Sequence, residues 1–233
     1  AKVLEEFLCE AKEVHSVVPI LKDREYENED IVCLAEAMWL HPEKQYFFIP
    51  LPGGHGNILH LLSRSLINDR KGLSQSCLEY AGKFLKRGAD YTAKDNEGRT
   101  PLHVAAQTKN FNLVHILLEA KSEVNNKDVA GNYPLTDVTN VMKLRLLNKP
   151  LAQELLLYGA DVDVCKMHHL ENLTKALTGK SLSKADMKIV VEKVKESHER
   201  KMLVKSGGHR TRRSSMFSST FESVVPDMVA YLA

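Results

Sequence analysis

The chain has 233 residues, 43% of them hydrophobic and 27% charged, which suits one or two domains with a sizeable core. Its formal net charge of +2 is too small to make nucleic acid or an anionic membrane the expected main partner. No apolar run approaches the roughly 18 residues of a membrane span, so no membrane span is expected.

The chain opens on Ala1 with no basic n-region, apolar core and cleavage site, which predicts a piece of a longer protein. Its four cysteines (Cys9, Cys33, Cys77 and Cys165) are far apart and form no CxxC pair. In a chain of this size that predicts reduced thiols and an intracellular, cytoplasmic compartment.

In chain order, Val3, Phe7, Ala11, Val14 and Val18 have helical spacing and Pro19 should end that helix. A second helix is expected from about Glu29 to Leu40, capped by Asn28 or Asp30. The stretch EKQYFFIPLPGG (43–54) predicts extended chain and a turn. From there the chain repeats itself. Gly-Ala-Asp occurs in KRGADYTAKD (86–95) and again in LYGADVDVCK (157–166), with EAKSEVNNKD (119–128) of the same shape between them. A leucine-rich helical run precedes each, and DNEGRTPLH and DVAGNYPLT follow two of them. Asp95 to Asp128 is a period of 33 residues, with room for a turn and two helices.

On those residues the chain resembles the ankyrin-repeat family. The match is specific in 95–127: Asp95, Gly98, Thr100-Pro101-Leu102-His103, Ala105-Ala106, Val114, Leu117-Leu118 and Val124-Asn125 stand in register. The flanking units depart from the pattern. Asn57 stands for Thr in GHGNILHLL, INDRKGLSQS (67–76) reads as an extended loop, Tyr133 and Thr136 replace Thr and His, and VTNVMKLRLLNK adds residues before the next helix. The resemblance covers about 53–163. It implies an all-α ankyrin-repeat solenoid, with 1–52 as a helical N-terminal cap or the remnant of a preceding domain.

Past Cys165, HHLENLTKALTGKS predicts a short helix ended by Gly179. Ser183 and Asp186 have capping-box spacing before a helix reaching about Lys205, with Met187, Val191, Val194 and His198 on one face. Lys188–Glu192 and Glu196–Arg200 are its expected i,i+4 pairs. Residues 164–205 are thus a helical extension. Residues 206–233 read as a flexible Ser/Arg-rich tail, with a short helix starting at Pro226.

No residue pattern frames a catalytic site. Thr100 at the helix mouth and Pro101 at the first helical position suit a helix start. The resemblance implies a structural role for His103 and, in the preceding unit, His60: each imidazole bonds its own motif and the neighbouring unit's backbone. Cys165, His168 and His169 would share a helical face but lack a fourth ligand, so no metal and no cofactor is expected. The resemblance further implies partner contacts at the hairpin tips and the exposed flank of each first helix. Those positions are Asn96, Glu97, Arg99, Gln107, Thr108 and Lys109, then Val129, Ala130, Asn132 and Tyr133. Lys121 stands at the usual glycine C-cap and predicts either a left-handed residue or an altered turn.

Arg212 and Arg213 precede Ser214 and Ser215 as in basophilic kinase substrates; the same arginines leave nuclear import open. The expected function is a non-catalytic protein–protein recognition module within a larger intracellular protein, with a protein partner and no small-molecule substrate. The alternative is the substrate-positioning region of a multidomain enzyme, such as a pathogen effector, whose catalytic domain lies outside or at the ends of this chain.

Overall fold

The computed structural model describes residues 28–40, 50–51, 54–64, 73–139, 148–204 and 213–231. The expected helix Val3–Val18, the stretch 43–49, residues 67–72 of the extended loop and the insertion at 140–147 lie outside them. Among the described residues there are ten α-helices, one 3-10 turn and no strand, so the architecture is all-α. The chain divides after Gly131 into two units.

The first unit holds α1 (Asn28–Leu40), α2 (Ile58–Arg64), α3 (Leu73–Lys86), α4 (Pro101–Gln107) and α5 (Phe111–Glu119). Ile31, Leu34, Ala35 and Met38 of α1 are buried at helical spacing, and that stripe lies against α3. At the contact Trp39 meets the buried Phe84 edge-on, ring centroids 6.0 Å apart at 75°. The Arg87 guanidinium lies 3.4 Å from the Trp39 ring centroid. A cation over a partly exposed indole contributes about 0.5–1 kcal/mol. α2 packs on α4, α3 on α5, and α4 on α5, so two helix pairs stack side by side. Ala105 and Ala106 of α4 are fully buried, and their small side chains let the neighbouring helices come close. Leu102, Leu113, Leu117 and Leu118 fill the space between them, each worth about 1.5–3 kcal/mol when removed from water.

Helix ends repeat too. Gly88 (φ 87°), Lys121 (φ 67°) and Gly159 (φ 95°) each hold the left-handed conformation after a second helix. In all three, that residue's N–H and the next one's turn back to the closing carbonyls: Gly88 to Leu85, Lys121 to Leu118, and Gly159 to Leu156. Lys121 therefore takes the glycine conformation, and the turn is unaltered. For a residue with a Cβ this costs about 1–2 kcal/mol.

The second unit holds α6 (Pro134–Thr139), α7 (Lys149–Leu157), a 3-10 turn (Val162–Val164), α8 (Met167–Thr178), α9 (Lys184–Val204) and α10 (Arg213–Tyr231). Gly179 ends α8 at φ 79°, as its position predicts. Met187, Val191, Val194 and His198 of α9 are all buried on one face. Ser183 Oγ accepts the Asp186 N–H at 3.2 Å and donates to its carboxylate at 2.7 Å, so the helix start is capped.

Two expectations need correction. Lys188 pairs with Asp163 rather than Glu192; Glu196 takes Lys193 at 3.1 Å, and the side chain of its other expected partner, Arg200, lies outside the described residues. The Asp163 turn also receives Lys184 Nζ on its carbonyl at 2.7 Å, which holds the carboxylate over α9. Residues 213–231 of the tail are helical, and Pro226 lies inside α10 rather than at a helix start. An interior proline costs about 3 kcal/mol. Packing of α10 on α9 and α7 outweighs it, with Thr220 and Val225 buried.

Candidate functional site

The hairpin before α4 is built around one carboxylate. Asp95 has a side chain only 1% exposed. Its Oδ1 accepts the N–H groups of Glu97 (3.0 Å) and Arg99 (2.9 Å), while its Oδ2 accepts Arg99 Nε and a terminal Arg99 nitrogen (2.9 and 2.8 Å). Burial alone would raise this carboxyl, but the hydrogen bonds from Arg99 and Glu97 outweigh it and hold it below its ordinary value. The turn closes through Asp95 N–H to the Arg99 carbonyl and Gly98 N–H to the Asp95 carbonyl, both 2.9 Å. Arg64, from the end of α2, approaches the same carboxylate at 3.8 Å and donates to His55 Nδ1 at 3.0 Å. Burial first, and Arg64 second, push the His55 imidazole below its ordinary value.

Successive tips are tied by backbone. Asn96 N–H donates to the Gly54 carbonyl (3.1 Å), and Val129 N–H to the Glu97 carbonyl (2.9 Å). The approach is close at Gly98, φ 72°, where a Cβ would stand 2.9 Å from Val129 Cγ2 and 3.1 Å from Val129 N. The next turn has the same form 33 residues on: Asp128 is buried and its carbonyl takes the Gly131 N–H.

Against this frame the expected contact residues separate. Asn96, Glu97, Gln107, Lys109, Val129 and Ala130 are exposed, Val129 to 81%. Arg99 is 16% exposed, and its guanidinium is engaged by Asp95, by Glu97 at 3.1 Å and by Gln107 Oε1 at 3.3 Å. It braces the hairpin from inside. Thr108 is half-buried, and its hydroxyl points to the carbonyls of Ser63 (2.7 Å) and Val104 (3.0 Å), tying the end of α4 to the end of α2. Lys109 follows at φ 59°. In the second unit Asn132 and Tyr133 are half-buried at the start of α6. Asp95 escaped sequence reasoning as a functional anchor; its signal was an Asp four residues before an Arg, across a glycine.

The histidines close helix starts. His103 is fully buried, and its Nδ1 accepts the Thr100 N–H (3.2 Å) and lies 2.9 Å from Thr100 Oγ1. His60 is equally buried; its Nδ1 accepts the Asn57 N–H (3.0 Å) and its Nε2 lies 2.9 Å from the Arg99 carbonyl in the next repeat. Its Nδ1 also lies 2.9 Å from Asn57 Oδ1, so the His60 ring is occupied on both sides. At α6 Tyr133 N–H meets Thr136 Oγ1 at 2.7 Å instead.

Cys165 stands after the 3-10 turn rather than on α8, and burial pushes its thiol up to about 11, which makes it inert. Among the described residues no three His, Cys, Asp or Glu side chains cluster as metal ligands. Ser214 and Ser215 fall in the first turn of α10, their side chains outside the description.

A family model for ankyrin repeats (3 copies) matches residues 55–136. The chain is 26% identical over 114 residues to "Inhibitor of Apoptosis OPG037" of variola virus, covering 47% of this chain and 25% of that one. The vaccinia virus protein of the same name is also 26% identical, with 24% of its length covered. The chain is 39% identical over 72 residues to "Potassium channel SKOR" of Arabidopsis thaliana, covering 30% of this chain and 9% of the channel. The chain thus spans about a quarter, or less, of the length of these relatives.

Proposed function

We propose, from the ankyrin repeats that residues 55–136 carry, that this chain is a non-catalytic protein–protein recognition module of an intracellular, cytoplasmic protein. In the first unit its contact surface is the pair of hairpin tips around Asn96-Glu97 and Val129-Ala130, with Gln107 and Lys109 at the end of α4. The observation that carries this is the backbone tie from Asn96 to Gly54 and from Val129 to Glu97. It fixes the tips before any partner arrives and leaves their side chains exposed. Preorganised tips lose little entropy on binding. Val129 supplies an apolar anchor, and Glu97 and Lys109 supply charges that set register and specificity. Asn132 and Tyr133 hold the matching positions of their own repeat in the second unit and are proposed as contacts on the same grounds.

The test has two stages. Affinity capture with the full chain identifies partners, and calorimetry with the purified partner then compares wild type with Glu97→Lys and Val129→Ser. Each change is expected to weaken binding about tenfold, or about 1.4 kcal/mol, with the melting temperature unchanged for Val129→Ser and slightly lowered for Glu97→Lys, which loses the exposed Arg99 ion pair. Equal affinity in both variants would remove the tips from the interface. Failure to bind any protein would remove the module reading itself.

A further inference from the structure

The end of α3 carries a second surface, built from residues other than the hairpin tips. Lys83 and Lys86 stand in its last turn and Arg87 follows it; Lys86 and Arg87 are exposed and Lys83 is half-buried. Cations at a helix C-terminus complement its dipole, so their presence alone asks for no partner. Their placement does. The Lys83 ammonium does not pair with Glu79, four residues before it, but sits 4.6 Å from the Tyr80 ring centroid and 5.6 Å from that of Trp39. The Arg87 guanidinium lies over Trp39 and donates to the Trp39 carbonyl at 3.4 Å. Among the described residues no carboxylate stands at ion-pair distance from any of the three cations. We propose that Trp39, Lys83, Lys86 and Arg87 form a docking surface for an acidic segment of a partner protein.

Stacking on the indole and the bond to its carbonyl fix the Arg87 guanidinium before a partner arrives, so little entropy is lost when one binds. The carbonyl uses one of the N–H groups, and a carboxylate accepts two of the others side by side. Lys83 and Lys86 extend the positive field, which suits several acidic side chains in a row. Two carboxylates stand nearby. Burial first, and Glu36 and Glu79 second, push the Tyr80 phenol above its ordinary value. Glu79 is two turns before Lys86 on α3, about 10 Å along the axis, so the partner's acids meet the Lys86–Arg87 end. Leu40, next to Trp39, is 62% exposed and offers an apolar contact that a protein segment can use. Trp, Tyr and Arg are also the residue types that carry most binding energy between proteins. Nucleic acid suits the surface less, because bases stack on open aromatic faces and Arg87 already lies on the indole.

Trp39 is the single tryptophan of the chain, so its emission reports binding at this surface. The purified full chain is titrated at low salt with the peptide acetyl-EEELLEEE-amide while indole emission is read. A saturable change is expected, and the counterpart acetyl-KKKLLKKK-amide should give none. Lys86→Glu leaves the ring contacts in place and should weaken binding about tenfold. Arg87→Lys keeps the charge but loses the planar fork, and should weaken it about threefold. Lys180→Glu makes the same change in charge at an exposed residue of the second unit and should alter affinity by less than about twofold. Melting curves of each variant confirm that it is folded. Three results would overturn the proposal: no emission change and no binding of a fluorescein-labelled peptide, equal weakening by Lys86→Glu and Lys180→Glu, or a single-stranded DNA of the same charge binding more tightly than the acidic peptide. The first would remove the surface, the second would leave only attraction to the net charge, and the third would make it a nucleic-acid surface.

Discussion

At Thr100 and at Tyr133 the chain starts the same kind of helix with different chemistry. In the first unit an imidazole four residues into the motif takes the opening N–H: His103 from Thr100, and His60 from Asn57. In the second unit Thr136 takes the N–H of Tyr133 and returns its own proton to the Tyr133 carbonyl at 2.8 Å. What every start requires is an acceptor for an N–H that the helix cannot satisfy. Reach is what differs. His60 has a second nitrogen that extends to the Arg99 carbonyl of the next repeat, whereas the Thr136 hydroxyl closes on its own turn. The start made by His60 thus couples neighbours, and the one made by Thr136 is local.

The largest effect expected along this comparison is at the anchor the clean unit has. Asp95→Ala leaves Arg99 without its buried partner and should lower unfolding free energy by about 3 kcal/mol in urea titration. Its pH dependence has a definite sign. The carboxyl is held below its ordinary value, so its contribution is present above the unfolded value of about 3.9 and is lost as pH falls through the folded value. The acid limb of the stability curve should flatten in Asp95→Ala.

Next come the helix starts. His60→Ala loses two buried hydrogen bonds and opens a cavity, an expected cost of about 2–3 kcal/mol. Thr136→Ala should cost about 1 kcal/mol. Equal costs by chemical denaturation would break the distinction between coupling and local starts.

The same pair separates by pH. Burial, partly offset by the Arg99 carbonyl, holds the His60 imidazole below 6.5, so the unfolded chain protonates first. Stability should fall as pH drops below 6.5 and level off below the folded value, and His60→Ala should remove that step from thermal melts.

The smallest effects are at the C-caps. Gly88→Ala puts a Cβ at φ 87° with open space around it, so backbone strain alone should cost about 1 kcal/mol. Lys121→Gly should gain somewhat less than about 1 kcal/mol, because relief of strain is partly offset by unfolded-chain entropy. A Lys121→Gly variant that melts lower than wild type would contradict a left-handed Lys121.

Much of this was legible along the chain. Thr100-Pro101-Leu102-His103 specified a helix start, and Gly88 and Gly159 marked left-handed ends, because these features depend on residues within one turn of each other. The buried stripe Met187–His198 followed from periodicity alone. Arg99 was less legible. A charged residue beside a hairpin tip is expected to face a partner, yet the carboxylate four residues before it draws it inward. Lys188 passes over Glu192 for an aspartate 25 residues away. Pro226 sits within a helix because contacts to α9 and α7 outweigh a local preference.

By itself, then, the amino-acid order determined the repeat period, the helix starts and ends and the apolar stripes, all set by local geometry and by which groups lack a partner within a turn. Tertiary structure alone decided which charged side chains face outward. It pulled the Thr108 hydroxyl onto the Ser63 carbonyl and turned Lys188 to Asp163, whereas Arg99 follows the Asp95 of its own turn. Burial of a charge or a hydroxyl depends on an acceptor brought near by packing, and nothing in the local sequence records that distance.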